Sequence, residues 1–293
     1  MFYLDVLSSI GDAMIRIESI EQYYNLIYQA KETISNYISN NYLMSSAVES
    51  YISKDMLFYD VTESCLKIYL FQGRYYVLYL IISPNSKVEH ENTALPIVSG
   101  VIYNSNEEVE KWDYIFLNSG FRQGSILQEV SYNPETVKKN VSITAESIID
   151  SLSSEGFKLV PADVSKKPFL DSFVLGIEEI PFWDVPFRTE EAFKSDCNSG
   201  LVNLIVDKSD IICAANYSFI QGKNEYGWIA VDKKYRDLYG MSLALIKAKV
   251  DGIISRGHMG RGWIDINNKK SIRFHTGIGE VLTQRYKKNY VFQ

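Results

Sequence analysis

"GWIAVDKKYRDLYGMSLALIKAKV", residues 227–250, decides how this chain is read. It passes from a β-branched, apolar segment through a basic turn into Gly240, and then into a long helical pattern. A helix that opens behind a glycine turn has unsatisfied backbone N–H groups at its start. With a macrodipole worth roughly half a positive charge, those donors form a seat for an anion. Gly240 can adopt backbone angles that other residues avoid and adds no bulk beside a ligand. Ser242 is placed to cap the helix or to bond a phosphate. Lys233, Lys234 and Arg236 add positive charge, and a guanidinium matches phosphate geometry. The set suits a diphosphate better than a lone carboxylate. It also describes an ordinary solvated basic turn. Neither the G-x-x-x-x-G-K-[ST] loop nor the G-x-G-x-x-G turn is present.

Working outward, residues 201–231 read as three consecutive strands in an antiparallel meander. "GWIDIN" (262–267) reads as a strand, "NKKSIRFHTG" (268–277) as a short helix, and "GEVLTQRYKKNYVF" (279–292) as the last strand or two. Upstream, Ile20, Tyr24, Ile27, Ala30, Ile34 and Ile38 recur at helical spacing and predict one amphipathic helix over 18–40. Gln72-Gly73 signals a hairpin. Residues 95–103 read as a buried strand, followed by an acid-headed helix stopped by Gly120 and a strand over 123–132. Pro134 opens a further helix that Gly156 closes. Residues 161–200, with the aromatic cluster Phe182, Trp183 and Phe187, suggest a loop-rich link or opening helices. "VSGVIYN…FLNSGFRQGSILQEVSY" and "RGWIDIN…FHTGIGEVLTQRY" share one plan of strand, asparagine, short helix, glycine and strand. Strand–helix–strand units are also common without any repeat. The fold class is α/β or α+β, in two domains divided at 1–135 and 136–293.

Composition bounds the rest. With 46% hydrophobic residues and only 7 prolines the chain is globular rather than disordered. A net charge of −6 argues against sequence-independent nucleic-acid binding, which needs a broad cationic surface. Cys65, Cys197 and Cys213 form no C-x-x-C pair, and His90, His258 and His275 are too dispersed for a zinc site, so no metal is expected. The N-terminus has no signal-peptide pattern, and the longest apolar run, "YYVLYLII" at 75–82, is far short of the ~20 residues that span a bilayer. A cytoplasmic protein that does not engage a membrane is expected.

Residues 231–242 resemble the central motif of the Gcn5-related N-acetyltransferase (GNAT) superfamily: a strand, V-x-P-x-Y-R, a Q/R-x-x-G-x-G/A loop, then a helix. Val231, Tyr235, Arg236, Gly240, Met241 and Ser242 supply the matches. Arg236 to Gly240 has one residue more than the usual spacing, and Ser242 replaces the final small residue. The next family motif, strand, N-x-x-A/S, short helix and Gly-Phe, finds Asn268, Ser271, Ile272 and Gly279, with Glu280 where phenylalanine is usual. The resemblance covers about 200–293 well and the first half only through the echo, where Asn104 and Gly120-Phe121 sit. Tandem acyltransferases such as mycothiol synthase show the same plan, one degenerate and one working domain.

The resemblance implies that acetyl-CoA or another acyl-CoA is the cosubstrate. A primary amine, on a small molecule or peptide, attacks the thioester directly. Arg236, Tyr239, Gly240, Met241 and Ser242 would hold the diphosphate, and Ala230 and Val231 would pair the pantetheine amides as an added strand. Asn268 and Ser271 belong to the second motif. His275, seven residues after Asn268, stands where the family has a tyrosine that protonates the leaving thiolate. A histidine titrates near 6.5 and suits that task, and it equally suits the end of a helix. Tyr286 and Tyr290 are alternative donors. Glu225, just before the pantetheine strand, is the candidate base acting through water, with Asp232 and Asp265 behind it and a surface-turn role as the plain alternative. Cys213 reads as a buried hydrophobe. Two other readings stay open: a FemX-like aminoacyl transferase and a non-catalytic CoA-binding or interaction protein. The final strand leaves a homodimer open.

Overall fold

The computed structural model describes residues 14–43, 45–89, 93–177, 181, 188–236 and 240–293. The aromatic cluster Phe182, Trp183 and Phe187, His90, and Tyr239 of the anion loop lie outside them. In chain order the elements are β1 (Ile15–Arg16), α1 (Ile20–Thr33), β2 (Ile38–Ser39), α2 (Ser45–Ile52), β3 (Leu57–Thr62), β4 (Cys65–Phe71), β5 (Tyr76–Ile82), β6 (Ile97–Tyr103), α3 (Asn106–Asn118) and β7 (Arg122–Tyr132). They continue with α4 (Pro134–Ser154), β8 (Lys158–Pro161), α5 (Lys167–Leu175), α6 (Glu190–Asn198), β9 (Val202–Val206), β10 (Ile212–Gln221), β11 (Asn224–Val231), α7 (Met241–Arg256), β12 (Met259–Asp265), α8 (Lys269–Gly277) and β13 (Val281–Phe292). The class is mixed α/β. The chain divides into two compact units, residues 1–127 with 285–293, and residues 128–284.

In the first unit the strands run in the order β1-β3-β4-β5-β6-β13. β3, β4 and β5 form an antiparallel meander, and all seven residues of β4 pair with β5. β5 and β6 are parallel, but pair only at Tyr76↔Ile97 and Val77↔Val98. The end of the chain completes this unit: Tyr286 to Phe292 pair antiparallel with Tyr103 to Ile97. Tyr290 is fully buried there and stacks on Phe116 of α3 at 4.4 Å between ring centroids.

Residues 18–40 are not one helix. Ser19 caps α1 by accepting from the Gln22 N–H, and Gln22 Oε1 accepts from the Glu18 N–H in return, a reciprocal cap. The helix stops after Thr33. Asn36 then takes a left-handed conformation (φ 52°), and Ile38 and Ser39 are captured by an edge of β5. Pairing with a sheet edge overrides the local periodicity that extended the helix to Ile38.

In the second unit the order is β12-β11-β10-β9-β8, with residues 128–132 of β7 beside β12. β9, β10 and β11 form the expected meander. On one face Met241, Ala244 and Leu245 of α7 pack against Ile205, Ala214 and Val231. On the other, Leu170 and Val174 of α5 and Phe193 of α6 cover Val202, Leu204, Ala215 and Tyr217. Each echoed half carries strand, helix, left-handed glycine and strand, with Gly120 at φ 84° and Gly279 at φ 98°. Among the described residues no helix is long and apolar enough to cross a membrane.

Candidate functional site

The parallel strands β11 and β12 pair at Asn224↔Met259 and Glu225↔Gly260, and nowhere beyond. From residue 227 onward β11 keeps its bonds to β10 while its other edge parts from β12. Among the described residues no side chain bridges 227–231 to 262–265. A wedge therefore opens between two strands, one wall of which has unpaired backbone donors and acceptors. Such an edge takes an extended polar chain as an added strand. Gly227 brings β10 close, since a Cβ there would lie 2.4 Å from the Tyr217 carbonyl oxygen.

At the end of β11 the chain turns into α7. Asp232 shapes the turn by accepting from the Lys234 N–H at 2.8 Å, and Arg236 Nε donates to the Val231 carbonyl at 2.9 Å. Gly240 is the N-cap, left-handed at φ 62°, and among the described residues no side chain caps the helix. It is exposed, as are Lys233 and Lys234. Ile148 of α4 lies against it, so that a Cβ would stand 2.7 Å from its Cδ1. Met241 buries its side chain in the core and offers only its N–H; Ser242 is half-buried. An exposed helix start without a side-chain cap among the described residues leaves backbone N–H groups open to solvent.

Beneath α7 lies a cluster of ionisable groups that no local pattern announced. Glu225 is 0% exposed, and Arg256 of α7 clamps both its oxygens, at 2.6 and 2.9 Å. His258 Nδ1 approaches the same carboxylate at 3.0 Å. Glu280, also buried, faces His275 Nδ1 at 3.0 Å; the approach is electrostatic, since neither atom is aligned for a hydrogen bond. Lys249 of α7 holds its Nζ 5.9 Å above the ring of Tyr132. Burial pushes the Lys249 ammonium below its ordinary range, against the pull of Glu280 and Glu225. Burial, with the same two carboxylates, pushes the Tyr132 phenol well up. The two buried carboxylates thus have different surroundings: Arg256 is bonded directly to Glu225, while Lys249 acts on both only at a distance.

The predicted residues fall into distinct places. Ala230 and Val231 lie on the open strand, and Arg236, Gly240, Met241 and Ser242 at the turn and helix start. Asn268 spends its side chain as the N-cap of α8, accepting from the Ser271 N–H at 3.0 Å. Glu225, the candidate base, does not lie in a surface turn: it is buried, and its oxygens are engaged by Arg256 and His258. Asp232 and Asp265 are likewise committed, Asp265 to the Asn267 N–H. Tyr286 belongs to the first unit, where it stacks on Tyr103. Tyr290 is core, its hydroxyl donating to Asp113 at 2.8 Å, and burial drives its phenol far up. Cys213 is buried as read. Glu280 was the residue missed. The signal was available: Glu280 and His275 are the two departures from the second motif, and they face each other.

A parallel pair that opens beside an uncapped helix, inside a β-meander sheet with helices on both faces, is the GNAT fold. Solved structures agree over nearly the whole chain. The GCN5-related glucosamine N-acetyltransferase region of a fungal multi-domain GH3 β-N-acetylglucosaminidase superposes with a TM-score of 0.61 at 11% identity over 96% of this chain; this chain spans 38% of that one. A tandem GNAT protein of the clavulanic acid biosynthesis pathway gives 0.53 at 8% identity, covering 95% of this chain and 97% of that one. A GCN5-related N-acetyltransferase from Sphaerobacter thermophilus gives 0.50 at 13%, covering 97% and 96%. At such identities it is the fold that is shared. No protein-family model matches the chain, and no curated protein does.

Proposed function

We propose that the second unit moves an acyl group from an acyl-coenzyme A, acetyl-CoA in the first instance, to a primary amine on a small molecule or peptide. The observation that carries this is the open wedge between β11 and β12 ending at an uncapped helix start. The residues fit such a cosubstrate. The Met241 and Ser242 amides of α7, with Lys233 and Lys234, would take the diphosphate, and the free edge of 227–231 the amides of the pantetheine. When bound, the thioester supplies an acyl group activated for attack by nitrogen.

The chain's own task is then to manage one proton. The nitrogen–carbon bond forms as the carbon–sulfur bond breaks, and the proton released by nitrogen must reach sulfur. His275 is the group for this. The Glu280 carboxylate facing Nδ1 favours a proton on that nitrogen, so a neutral ring presents Nε2 as the acceptor. Nε2 takes the proton from nitrogen and returns it to the thiolate. One histidine thereby fills the base role that Glu225 cannot, together with the acid role expected of position 275.

Calorimetric titration with acetyl-CoA tests the reading: micromolar binding is expected, and silence at millimolar ligand would end it. His275→Ala should then lower kcat by ~100-fold or more with binding unchanged. Binding without turnover on any amine, in the unaltered chain, would favour a non-catalytic acyl-CoA-binding protein instead.

A further inference from the structure

The first unit has its own diverging pair. β5 and β6 pair at Tyr76↔Ile97 and Val77↔Val98 and then separate, as β11 and β12 do. Here the wedge is filled from within. β2 pairs with β5 at Ile38↔Ile82 and Ser39↔Ile81. A strand has two edges, and one edge of β5 is wholly occupied by β4. β2 therefore lies on the β6 side, inside the split.

Asn40 finishes the closure. Its backbone N–H donates to the Leu80 carbonyl at 3.2 Å. Its side-chain Oδ1 accepts from the Leu80 N–H at 2.7 Å, and its Nδ2 donates to the Gly100 carbonyl at 3.1 Å and to Ser99 Oγ at 2.8 Å. Ser99 Oγ donates in turn to the Leu78 carbonyl at 2.8 Å. One carboxamide thus links the two parted strands, donor to β6 and acceptor from β5, as an inserted amide would. Asn40 and Ser99 are both fully buried. Between β5 and β6, the described residues 83–89 and 93–96 form no helix whose start could seat a diphosphate.

We infer that residues 38–40 stand in the first unit where a cosubstrate's extended amide chain would lie, so that this unit is closed to acyl-CoA and the chain takes a single equivalent. The closure itself rests on the first unit alone; the single equivalent also rests on the function proposed for the second. The sequence offers the reason for the arrangement. The left-handed Asn36 turns the chain out of α1 and aims the next residues at the free edge of β5. A short inserted strand and one amide supply permanently the bonds that a ligand would otherwise make and break.

Two measurements on the full chain decide it. Native mass spectrometry with acetyl-CoA should show one bound molecule, lost in Gly240→Val. A second equivalent, surviving in Gly240→Val, overturns the inference. If nothing binds, the function proposed for the second unit fails, and amide exchange still decides the first. The Leu80 N–H should be protected without ligand and unchanged by millimolar acetyl-CoA. In Asn40→Ala it should exchange at least about tenfold faster, the equivalent of losing one buried bond. Should that variant not fold, Ser99→Ala, which leaves the Asn40–Leu80 bond intact, is expected to keep Leu80 protected. A Leu80 amide that exchanges freely in the unaltered chain, or that becomes slower when acetyl-CoA is added, refutes the closure.

Discussion

Glu225 has partners 31 and 33 residues further along the chain, and that separation explains why no local reading could find its role. Position 225 follows Gly222, Lys223 and Asn224, and in sequence it looks like the exit of a hairpin turn. In the fold Arg256 closes over it from the end of α7, and the pair ties the helix to the closed end of the wedge. Removing one partner leaves the other's charge stranded. Glu225→Gln is expected to cost about 3 kcal/mol, read from urea unfolding at neutral pH. Lys249 makes the complementary case. The helical pattern places it among Ile246, Val250 and Ile253, and burial lowers its proton affinity. Between that lowered value and lysine's ordinary 10.5, the unfolded chain holds a proton that the native chain has shed, so stability rises with pH across the window. Lys249→Met should flatten that alkaline rise, as followed by denaturant midpoints at a series of pH values. Burial disfavours the thiolates of Cys65 and Cys197 and pushes their thiols up, to about 12 and about 11. Neither is suited to act as a nucleophile near pH 7.

At the scale of elements, most of the fold was legible because its signals are local. Ser105, Asn133 and Thr189 cap their helices with their own side chains. Gly120 and Gly156 take left-handed conformations where helices were expected to stop, and Gly257 does the same at the end of α7. What was not legible was which edges meet. Period and propensity say that residues 76–82 and 224–231 are strands, but not that each diverges from its parallel neighbour after two pairs. Nor do they say that one divergence is filled by residues 38–40 and the other left open. The turn before α7 was legible for the opposite reason: a basic run, a glycine and a helix start are contiguous in sequence. Gly240 carries the test at this scale. With φ at 62° and Ile148 Cδ1 2.7 Å from any added Cβ, Gly240→Val must distort the start of α7. Acetyl-CoA affinity is expected to fall by at least about tenfold, for a stability cost of only about 1–2 kcal/mol from the left-handed backbone. An unchanged dissociation constant in calorimetry would remove the helix start from the site.

For the whole molecule, the consequential feature is that the first unit is discontinuous: residues 1–127 are joined by 285–293. The returning segment pairs along the full length of β6, from Tyr286↔Tyr103 to Phe292↔Ile97. It also delivers Tyr290 into the core beside Phe116 and Asp113, and Lys288 to an ion pair with Asp113 at 2.6 Å. Without it, β6 would expose an unpaired edge and α3 would lose the ring on which Phe116 stacks. A boundary drawn from sequence near residue 135 cuts the chain into two consecutive pieces, because nothing local marks the last nine residues as belonging elsewhere. The consequence is a sharp asymmetry among fragments. Residues 1–127 alone should fail to fold, showing low chemical-shift dispersion and no cooperative melt. The same fragment carrying residues 285–293 on a flexible linker should fold and give a cooperative transition. A chain ending at Gln284 should lose protection throughout β6 and α3 in amide exchange. If residues 1–127 melt cooperatively by themselves, the terminal strand is an accessory to that unit rather than part of its core, and the burial of Tyr290 does not hold the first unit together.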